Sequence, residues 1–207
     1  MQKKIPLEPE HYYHIYNHAN GFENFFKDKN DYANFLTLYI EYIVPICETF
    51  AYCLMPNHFH FFVRIKPEAE LIKTLKINNE TSKIETGTIS YRFSHYFNSY
   101  AQAYNKKYQR SGSLFRSTFK RKPVITEEYF IKLVHYIHSN PVHDGFVERI
   151  ERWEHSSYNA FLSDTESFLN KATVIEHFGD LDNFKLVHQN SFNMKPTLRG
   201  SATTRRV

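Results

Sequence analysis

Two apolar runs separated by a short turn place the strongest restriction on the fold of this chain. Residues 49–55, TFAYCLM, and residues 58–65, HFHFFVRI, are dominated by aromatic and aliphatic side chains, and Pro56-Asn57 between them is typical of a turn. The two runs are predicted to form a β-hairpin. Because a lone hairpin is at best marginally stable in water, this hairpin must belong to a larger sheet.

The rest of the chain alternates between extended and helical patterns. Aromatic and β-branched residues favour strands, whereas apolar residues spaced three and four apart favour helices. This alternation predicts an α+β fold with helices packed on one face of a mostly antiparallel sheet. Further strands are predicted at 11–17 and 114–125, the main helices at 28–45, 89–111 and 126–140, and smaller helices at 71–75 and within 165–189, with a loop around 78–87. Pro141 is expected to end the last main helix.

The composition sets the class of protein. The chain is 42% hydrophobic and 17% aromatic, which excludes general disorder. Two cysteines in apolar surroundings, Cys47 and Cys53, are expected to be buried free thiols in a reducing compartment. No stretch approaches the roughly 18 uninterrupted apolar residues of a membrane span. A cytoplasmic protein without membrane partners is therefore expected.

Charge is distributed unevenly along the chain. The net charge is +4, but the 41 residues from Thr86 to Thr126 contain no Asp or Glu and carry +8, the region after Asp182 carries +5, and the remainder carries −9. An anionic partner along one surface, in particular nucleic acid, explains this partition better than a merely solvated face. The candidate DNA-binding residues are Arg92, Lys106, Lys107, Arg110, Arg116, Lys120, Arg121 and Lys122.

Two short motifs carry candidate chemistry. In the predicted strand 58–65, His58 and His60 share one face because strand side chains alternate, and two such imidazoles can hold one divalent ion. In the predicted helix 126–140, Tyr136 and Asn140 share one face because they are four residues apart. Taken alone, each motif also fits a structural reading, with hydrogen-bonded histidines and a core tyrosine followed by a helix-terminal asparagine.

Together, the motifs resemble a known family, the single-tyrosine HUH transposases, and in particular the REP-associated tyrosine transposases and their insertion-sequence-type relatives. The resemblance rests on MPNHFHFFV, on HYIHSNPVHDGFV and on the linking stretch NKKYQRSGSLFRSTFK, and it spans roughly residues 13–158. It implies a single ferredoxin-like, HUH-type catalytic domain at 1–162. Outside the resemblance, the sequence pattern predicts a small helical extension at 163–189 and a flexible basic tail at 190–207.

The resemblance also implies the roles of the residues. His58 and His60 would bind Mg²⁺ or Mn²⁺, Asn140 would be a third ligand, and Tyr136 would be the nucleophile that forms a 5′-phosphotyrosine link with single-stranded or hairpin DNA. Relatives act as homodimers or as monomers, and the sequence leaves the choice open.

Other readings compete with this assignment. Tyr100 and Tyr104 are spaced like a packed core stripe, and Tyr108 is the alternative nucleophile. Two other functions stay open: a nucleic-acid-binding protein without catalysis, and a metal-dependent phosphodiesterase with a water nucleophile. The first would bind hairpins without forming an adduct, and the second would stay active after Tyr136→Phe.

Overall fold

The computed structural model describes residues 5–76, 83–85 and 87–189. Residues 190–207 of the expected tail, together with 77–82 and 86 in and beside the expected loop, lie outside the described residues. The strands are β1 (Tyr12–His18), β2 (Cys47–Met55), β3 (His58–Ile65) and β4 (Lys120–Val124). The helices are α1 (Lys29–Tyr42), α2 (Glu68–Leu75), α3 (Thr88–Lys107), α4 (Glu127–His143), α5 (Tyr158–Phe161), α6 (Lys171–Phe178) and α7 (Leu181–Gln189).

The four strands form one antiparallel sheet in the spatial order β2-β3-β1-β4. The order along the chain, β1-α1-β2-β3-α3-β4 with the small α2 inserted, is the ferredoxin-like arrangement. The predicted hairpin forms, with Met55 opposite His58 across the turn. The predicted α+β class is confirmed.

Helices α1 and α3 cover one face of the sheet. Phe59 and Phe61 of β3 point to this face, where Phe35 of α1 lies 5.3 Å from the Phe59 ring centroid and 5.0 Å from that of Tyr96 of α3. The Tyr96 hydroxyl also donates to the Phe35 carbonyl oxygen at 3.1 Å. Phe35 is fully buried, so its truncation to alanine would cost about 3–5 kcal/mol of stability.

Helix α4 covers the opposite face, so the helices lie on both faces and not on one as expected. Phe62 points to this side and packs against Phe130 of α4 at 4.6 Å between ring centroids, with Phe50 of β2 beside both. The physical reason is that Phe62 of β3 forms an apolar cluster on this side with Phe50, Cys53 and Met55 of β2, and this cluster needs its own cover. Helices α6 and α7 pack against α4 in turn.

Helix α4 begins as predicted but ends later. The Thr126 side chain accepts a hydrogen bond from the Tyr129 amide and caps the start of the helix. Pro141 does not stop the helix, which continues to His143. A proline in the last turn removes one helical hydrogen bond, and the Asp144 amide still closes the end on the Asn140 carbonyl oxygen at 3.0 Å.

Strand β4 is shorter than the predicted extended stretch. It pairs only with β1 and forms an edge of the sheet, where Pro123 is tolerated because an edge residue can do without its amide proton. Upstream of β4 the chain still follows the sheet through a bridge between Ala19 and Phe115. Basic residues near this edge therefore lie beside β1.

Two compositional expectations can be compared with the structure. Cys47 and Cys53 are both buried and free. Among the helices of the described residues, none has the length and apolar character needed to cross a bilayer.

Candidate active site

The two sequence motifs meet at one cavity. His58 and His60 on β3 line it together with Tyr136 and Asn140 on α4, and its volume is about 250 Å³. The closest contact between the motifs joins His58 Nε2 to Asn140 Oδ1 at 3.1 Å, across 82 residues of sequence. The site therefore exists only in the folded chain, where α4 lies across the central strands.

Local structure explains why these side chains point into the cavity. Alternation along β3 sends Phe59 to the α1 and α3 side and leaves both histidines on the α4 side. On α4, the four-residue spacing aligns Tyr136 with Asn140. The next residue on that face, Asp144, also lines the cavity because the helix continues past the proline.

Oxygen atoms surround the ring of His58. Its Nδ1 lies 2.8 Å from Asn57 Oδ1, and its Nε2 faces Asn140 Oδ1 and, at 3.5 Å, Asp144 Oδ2. With Nδ1 donating to Asn57, the Nε2 of His58 faces two oxygen atoms. A cation bound here would have Nε2 and these oxygens within reach as ligands.

His60 contacts a second histidine instead. Its Nδ1 lies 2.9 Å from Nε2 of His14 on β1, and the two side chains are stacked and buried. Burial lowers the pKa of His60 well below its usual value. Burial, assisted by the positive charge of Lys122, lowers the pKa of His14 to about 3. Both rings are therefore neutral at physiological pH.

Tyr136 is partly buried above the histidines. Its ring centroid lies 5.5 Å from that of His60 and 6.2 Å from that of His14, with both contacts edge to face. Burial raises the pKa of the phenol, a hydrogen bond with Asn140 opposes this shift, and the negative charge of Asp144 adds to it. The phenol is therefore protonated at neutral pH and must lose its proton in order to attack.

The donor set fits a small divalent ion of the expected kind. Imidazole nitrogens and a carboxamide oxygen suit Mg²⁺ or Mn²⁺ less strongly than carboxylates would, and Asp144 supplies a carboxylate beside them. The 3.1 Å between His58 Nε2 and Asn140 Oδ1 matches the roughly 3 Å expected between neighbouring ligands of an octahedral ion. Within the described residues, no group of three or more His, Cys, Asp or Glu forms a metal cluster by itself. A metal site here therefore needs the carboxamide oxygen of Asn140 as a ligand.

Three of the candidate DNA-binding bases lie close to the cavity. Lys122 lines it directly, and the Nζ of Lys120 is 5.9 Å from the ring centroid of Tyr16 at its rim. The Arg116 amide donates to the His18 carbonyl oxygen at 3.0 Å, next to the cavity wall. These three bases could hold a phosphate backbone that enters the cavity along the β4 edge.

Other candidate bases lie elsewhere or are already paired. Lys107 binds Asp28 at 2.8 Å and Asp31 at 2.7 Å, and Arg110 lies 3.3 Å from Glu23. Arg121 donates to Ser90 Oγ at 2.6 Å from the opposite side of β4. Arg92 lies on α3, and Lys106 is in its last turn. The fold does not bring all eight bases to one surface, and their role in DNA binding stays a prediction.

The competing tyrosines lie away from the cavity. Tyr100 and Tyr104 are buried, as the core reading predicted, and Tyr104 donates to the Asn24 carbonyl oxygen at 2.6 Å. The Tyr108 hydroxyl donates to Asp31 Oδ2 at 2.7 Å. Tyr136 is the tyrosine that the fold brings to the two histidines of the motif, with Tyr16 at the rim of the same cavity.

Sequence analysis missed four polar residues of the site: His14, His18, Asn57 and Asp144. The two β1 histidines could be recognised from the sequence in principle. They are four residues apart, and an even spacing along a strand places side chains on the same face. Asp144 is four residues after Asn140. Because the sequence predicts that the helix ends at Pro141, it does not predict that Asp144 lies on the same helix face. The sequence predicts only a turn position for Asn57.

The chain is similar to known proteins in sequence and in fold. No family model matches the chain. A curated protein of Haemophilus influenzae named "Putative REP-associated tyrosine transposase" is 26% identical over 115 residues, which are 54% of this chain and 59% of that protein. The matched part is therefore less than two thirds of the relative's length.

A solved structure, described as the REP-associated tyrosine transposase bound to a REP hairpin, has a TM-score of 0.58 and 12% identity. The match covers 79% of this chain and 86% of that one. The structural likeness confirms the fold. Together, the two comparisons confirm the resemblance to the REP-associated tyrosine transposases.

Proposed function

We propose that this chain is a transposase-type DNA strand transferase, which nicks and rejoins single-stranded or hairpin DNA through Tyr136. One observation carries the proposal: Tyr136 and Asn140 of α4 line the same cavity as His58 and His60 of β3. A hydroxyl nucleophile beside imidazole and amide ligands is what phosphoryl transfer at a metal site requires. The resemblance to proteins named as tyrosine transposases supports the reaction class.

Hairpin DNA is the substrate that the structural comparison favours. The matched structure is described as a complex with a REP hairpin, and the match extends over most of this chain. Lys122, Lys120 and Arg116 line the approach to the cavity from the β4 edge. Phosphate contacts of this kind hold a strand in register but do not read its sequence.

The covalent step uses the phenol of Tyr136. Its oxygen forms a bond to the scissile phosphorus, the bond from phosphorus to the 3′ oxygen breaks, and that oxygen takes up a proton as a 3′-hydroxyl. The phenol proton passes to solvent in the cavity. The product is a 5′-phosphotyrosine, and the reverse attack by a 3′-hydroxyl rejoins the strand without a nucleotide cofactor.

The chain prepares this step in three ways. Asn140 lies one turn along α4 from Tyr136 in the same cavity, where a hydrogen bond from its amide to the phenol oxygen would fix the direction of attack. The ammonium of Lys122 lines the same cavity and would stabilise the phenolate and the phosphate. When bound at His58, His60 and Asn140, Mg²⁺ or Mn²⁺ would neutralise the phosphate and polarise its oxygens.

Covalent trapping tests the proposal. The protein is incubated with Mn²⁺ and a pool of single-stranded hairpins that carry random flanks and a 3′ fluorophore, and adducts are separated on a denaturing gel. The unchanged protein should become labelled. Tyr136→Phe should reduce labelling to background while hairpin binding, measured by anisotropy, stays within about twofold. Tyr108→Phe is the matched control and should label normally.

Three outcomes would contradict the proposal. An adduct in Tyr136→Phe would place the nucleophile elsewhere. Cleavage without an adduct, retained in Tyr136→Phe, would show a water nucleophile. Salt-sensitive hairpin binding with neither cleavage nor adduct would make the chain a binding protein on this fold.

A further inference from the structure

We infer that His14 is a positioning residue that fixes the tautomer of His60 and thereby leaves the Nε2 of His60 able to bind the metal. The inference rests on the proposed function, since it concerns the site proposed there. The observation that carries it is the contact of 2.9 Å between His14 Nε2 and His60 Nδ1. Nothing in the sequence motifs assigned a role to His14.

Two neutral imidazoles in this contact can share only one proton. In the first arrangement, His60 Nδ1–H donates to His14 Nε2, and the Nε2 of His60 keeps its lone pair. In the second, His14 Nε2–H donates to His60 Nδ1, and the Nε2 of His60 carries the hydrogen. A neutral imidazole has one donor and one acceptor nitrogen, so no other arrangement makes the bond. Only the first arrangement lets His60 Nε2 bind a cation.

The surroundings of His14 favour its role as the acceptor. The side chain is only 6% exposed, and its Nε2 lies 2.9 Å from His60 Nδ1. The ring is also held in place, because it stacks on Tyr16 at 4.7 Å between centroids. Cation binding at His60 Nε2 requires the first arrangement, in which the held ring of His14 is the acceptor for His60 Nδ1.

The other histidine of the motif shows the same logic with a different partner. His58 Nδ1 lies 2.8 Å from Asn57 Oδ1, so its hydrogen is directed away from the cavity and Nε2 is left toward Asn140. Each motif histidine therefore has its Nδ1 engaged by a neighbouring side chain. A carboxamide does this for His58, and His14 does it for His60. Such outer partners typically change metal affinity by about 10–100-fold when they are removed.

Geometry on the sheet explains why His14 can reach His60. In the register of β1 and β3, Tyr16 lies opposite His60 and His14 lies opposite Phe62, so His14 and His60 are diagonal neighbours on one face. Diagonal side chains in antiparallel strands are within reach of each other when they are long or aromatic. The contact thus follows from the register of the strands and needs no special backbone conformation.

The first test measures Mn²⁺ affinity of the full chain by calorimetry. His14→Phe keeps a ring but removes the acceptor, and it should weaken binding by about 10–100-fold. His14→Gln keeps an acceptor oxygen and should stay within about threefold of the unchanged protein. His11→Phe, at an exposed histidine outside the cavity, is the control and should bind normally. Circular dichroism of each variant verifies folding.

The second test needs no variant and no metal. Nitrogen-15 NMR of the metal-free protein labelled at histidine reports which ring nitrogen carries hydrogen. His60 should show a protonated Nδ1 and an unprotonated Nε2, and His14 should show an unprotonated Nε2. The opposite pattern would overturn the inference.

The two proposals fail in different ways. If His60→Ala abolishes Mn²⁺ binding but His14→Phe binds as the unchanged protein does, the metal site stands and the role of His14 is wrong. Equal losses in His14→Phe and His14→Gln would also overturn it, because loss of volume and not of the acceptor would then be the cause. If the unchanged protein forms no adduct, the proposed function fails, while the NMR pattern still decides the tautomer.

Discussion

Two faces of helix α4 each pack against histidines, but they differ in their access to solvent. On one face, Tyr136 and Asn140 line an open cavity with His58 and His60. On the other, His138 is fully buried. Its Nδ1 lies 2.9 Å from His188 Nε2 and its Nε2 lies 2.7 Å from Ser157 Oγ. Within the described residues, a histidine cluster therefore packs against each of these faces of α4. His58 and His60 line the open cavity, whereas His138 of the second cluster, called the sealed cluster below, is fully buried.

The difference shows what turns a histidine cluster into a candidate metal site. In the sealed cluster, His188 Nδ1 donates to the Phe184 carbonyl oxygen at 2.7 Å. The contacts of His138 with His188 and Ser157 join α4 to α7 and, through the Tyr52 amide that donates to Ser157 Oγ, to β2. Burial lowers the pKa of His188 to about 3 and that of His138 far below its usual value, so both rings are neutral. The open cluster instead faces Asn140 and Asp144. Both clusters consist of histidines. They differ in solvent access and in the carboxamide and carboxylate oxygens that lie beside the open cluster.

The largest expected effect is on the rate of adduct formation, which should depend on the open cluster. His58→Ala should slow Mn²⁺-dependent adduct formation on the order of 10³-fold or more, because a bound ion supplies several kcal/mol of transition-state stabilisation. Its free energy of unfolding in chelator should change by only about 1 kcal/mol. Rates on denaturing gels and urea titrations measure the two quantities. Adduct formation at the normal rate in this variant would refute the metal role.

Much of this comparison could be predicted from the sequence, and the reasons are local. The alternation of HFHFFVRI gave the shared face of His58 and His60, and the helical spacing gave that of Tyr136 and Asn140. The resemblance to a family joined the two pairs into one site. Local patterns and a family motif were sufficient for residues that lie within single elements.

The rest depended on tertiary structure. The contact of His14 with His60 follows from the strand register, which no local pattern specifies. Asp144 reaches the cavity because packing keeps α4 helical through Pro141. The sealed cluster depends on His188, which lies 50 residues from His138 in a region without a recognised motif. Likewise, the sequence does not show that α4 packs on the second face of the sheet, because this depends on tertiary contacts.

The second prediction concerns the stability of the sealed face. His138→Leu should lower the free energy of unfolding by about 2–3 kcal/mol, because His188 and Ser157 lose their buried partner. Mn²⁺ affinity should stay within about threefold. His143→Leu, at an exposed position of the same helix, is the control and should change stability by less than about 0.5 kcal/mol. Equal effects of both substitutions in urea unfolding would contradict a structural role for His138.

The sealed face should also make the fold sensitive to acid. The unfolded chain binds protons at its histidines below about pH 6.5, but the folded chain does not until far lower pH, since the pKa of His188 is lowered to about 3. Stability is therefore complete above pH 6.5 and falls as the pH decreases toward 3. Each such histidine contributes a slope of about 1.4 kcal/mol per pH unit. Urea unfolding at pH 7, 6, 5 and 4 should show a shallower slope for His138→Leu. An unchanged slope would show that His138 is protonated in the folded state.

The smallest expected effect is on DNA binding, and it compares a lysine that lines the cavity with a lysine that is already paired with carboxylates. Lys122 lines the cavity, so Lys122→Ala should weaken single-stranded DNA binding a few-fold and reduce the slope of log affinity against log salt by about 0.7. The ammonium of Lys107 is already held by Asp28 and Asp31, so Lys107→Ala should leave that slope unchanged. Fluorescence anisotropy across a KCl series measures both. Equal slope changes in the two variants would show that DNA displaces the carboxylates from Lys107, and the binding surface would then extend from the cavity to the end of α3.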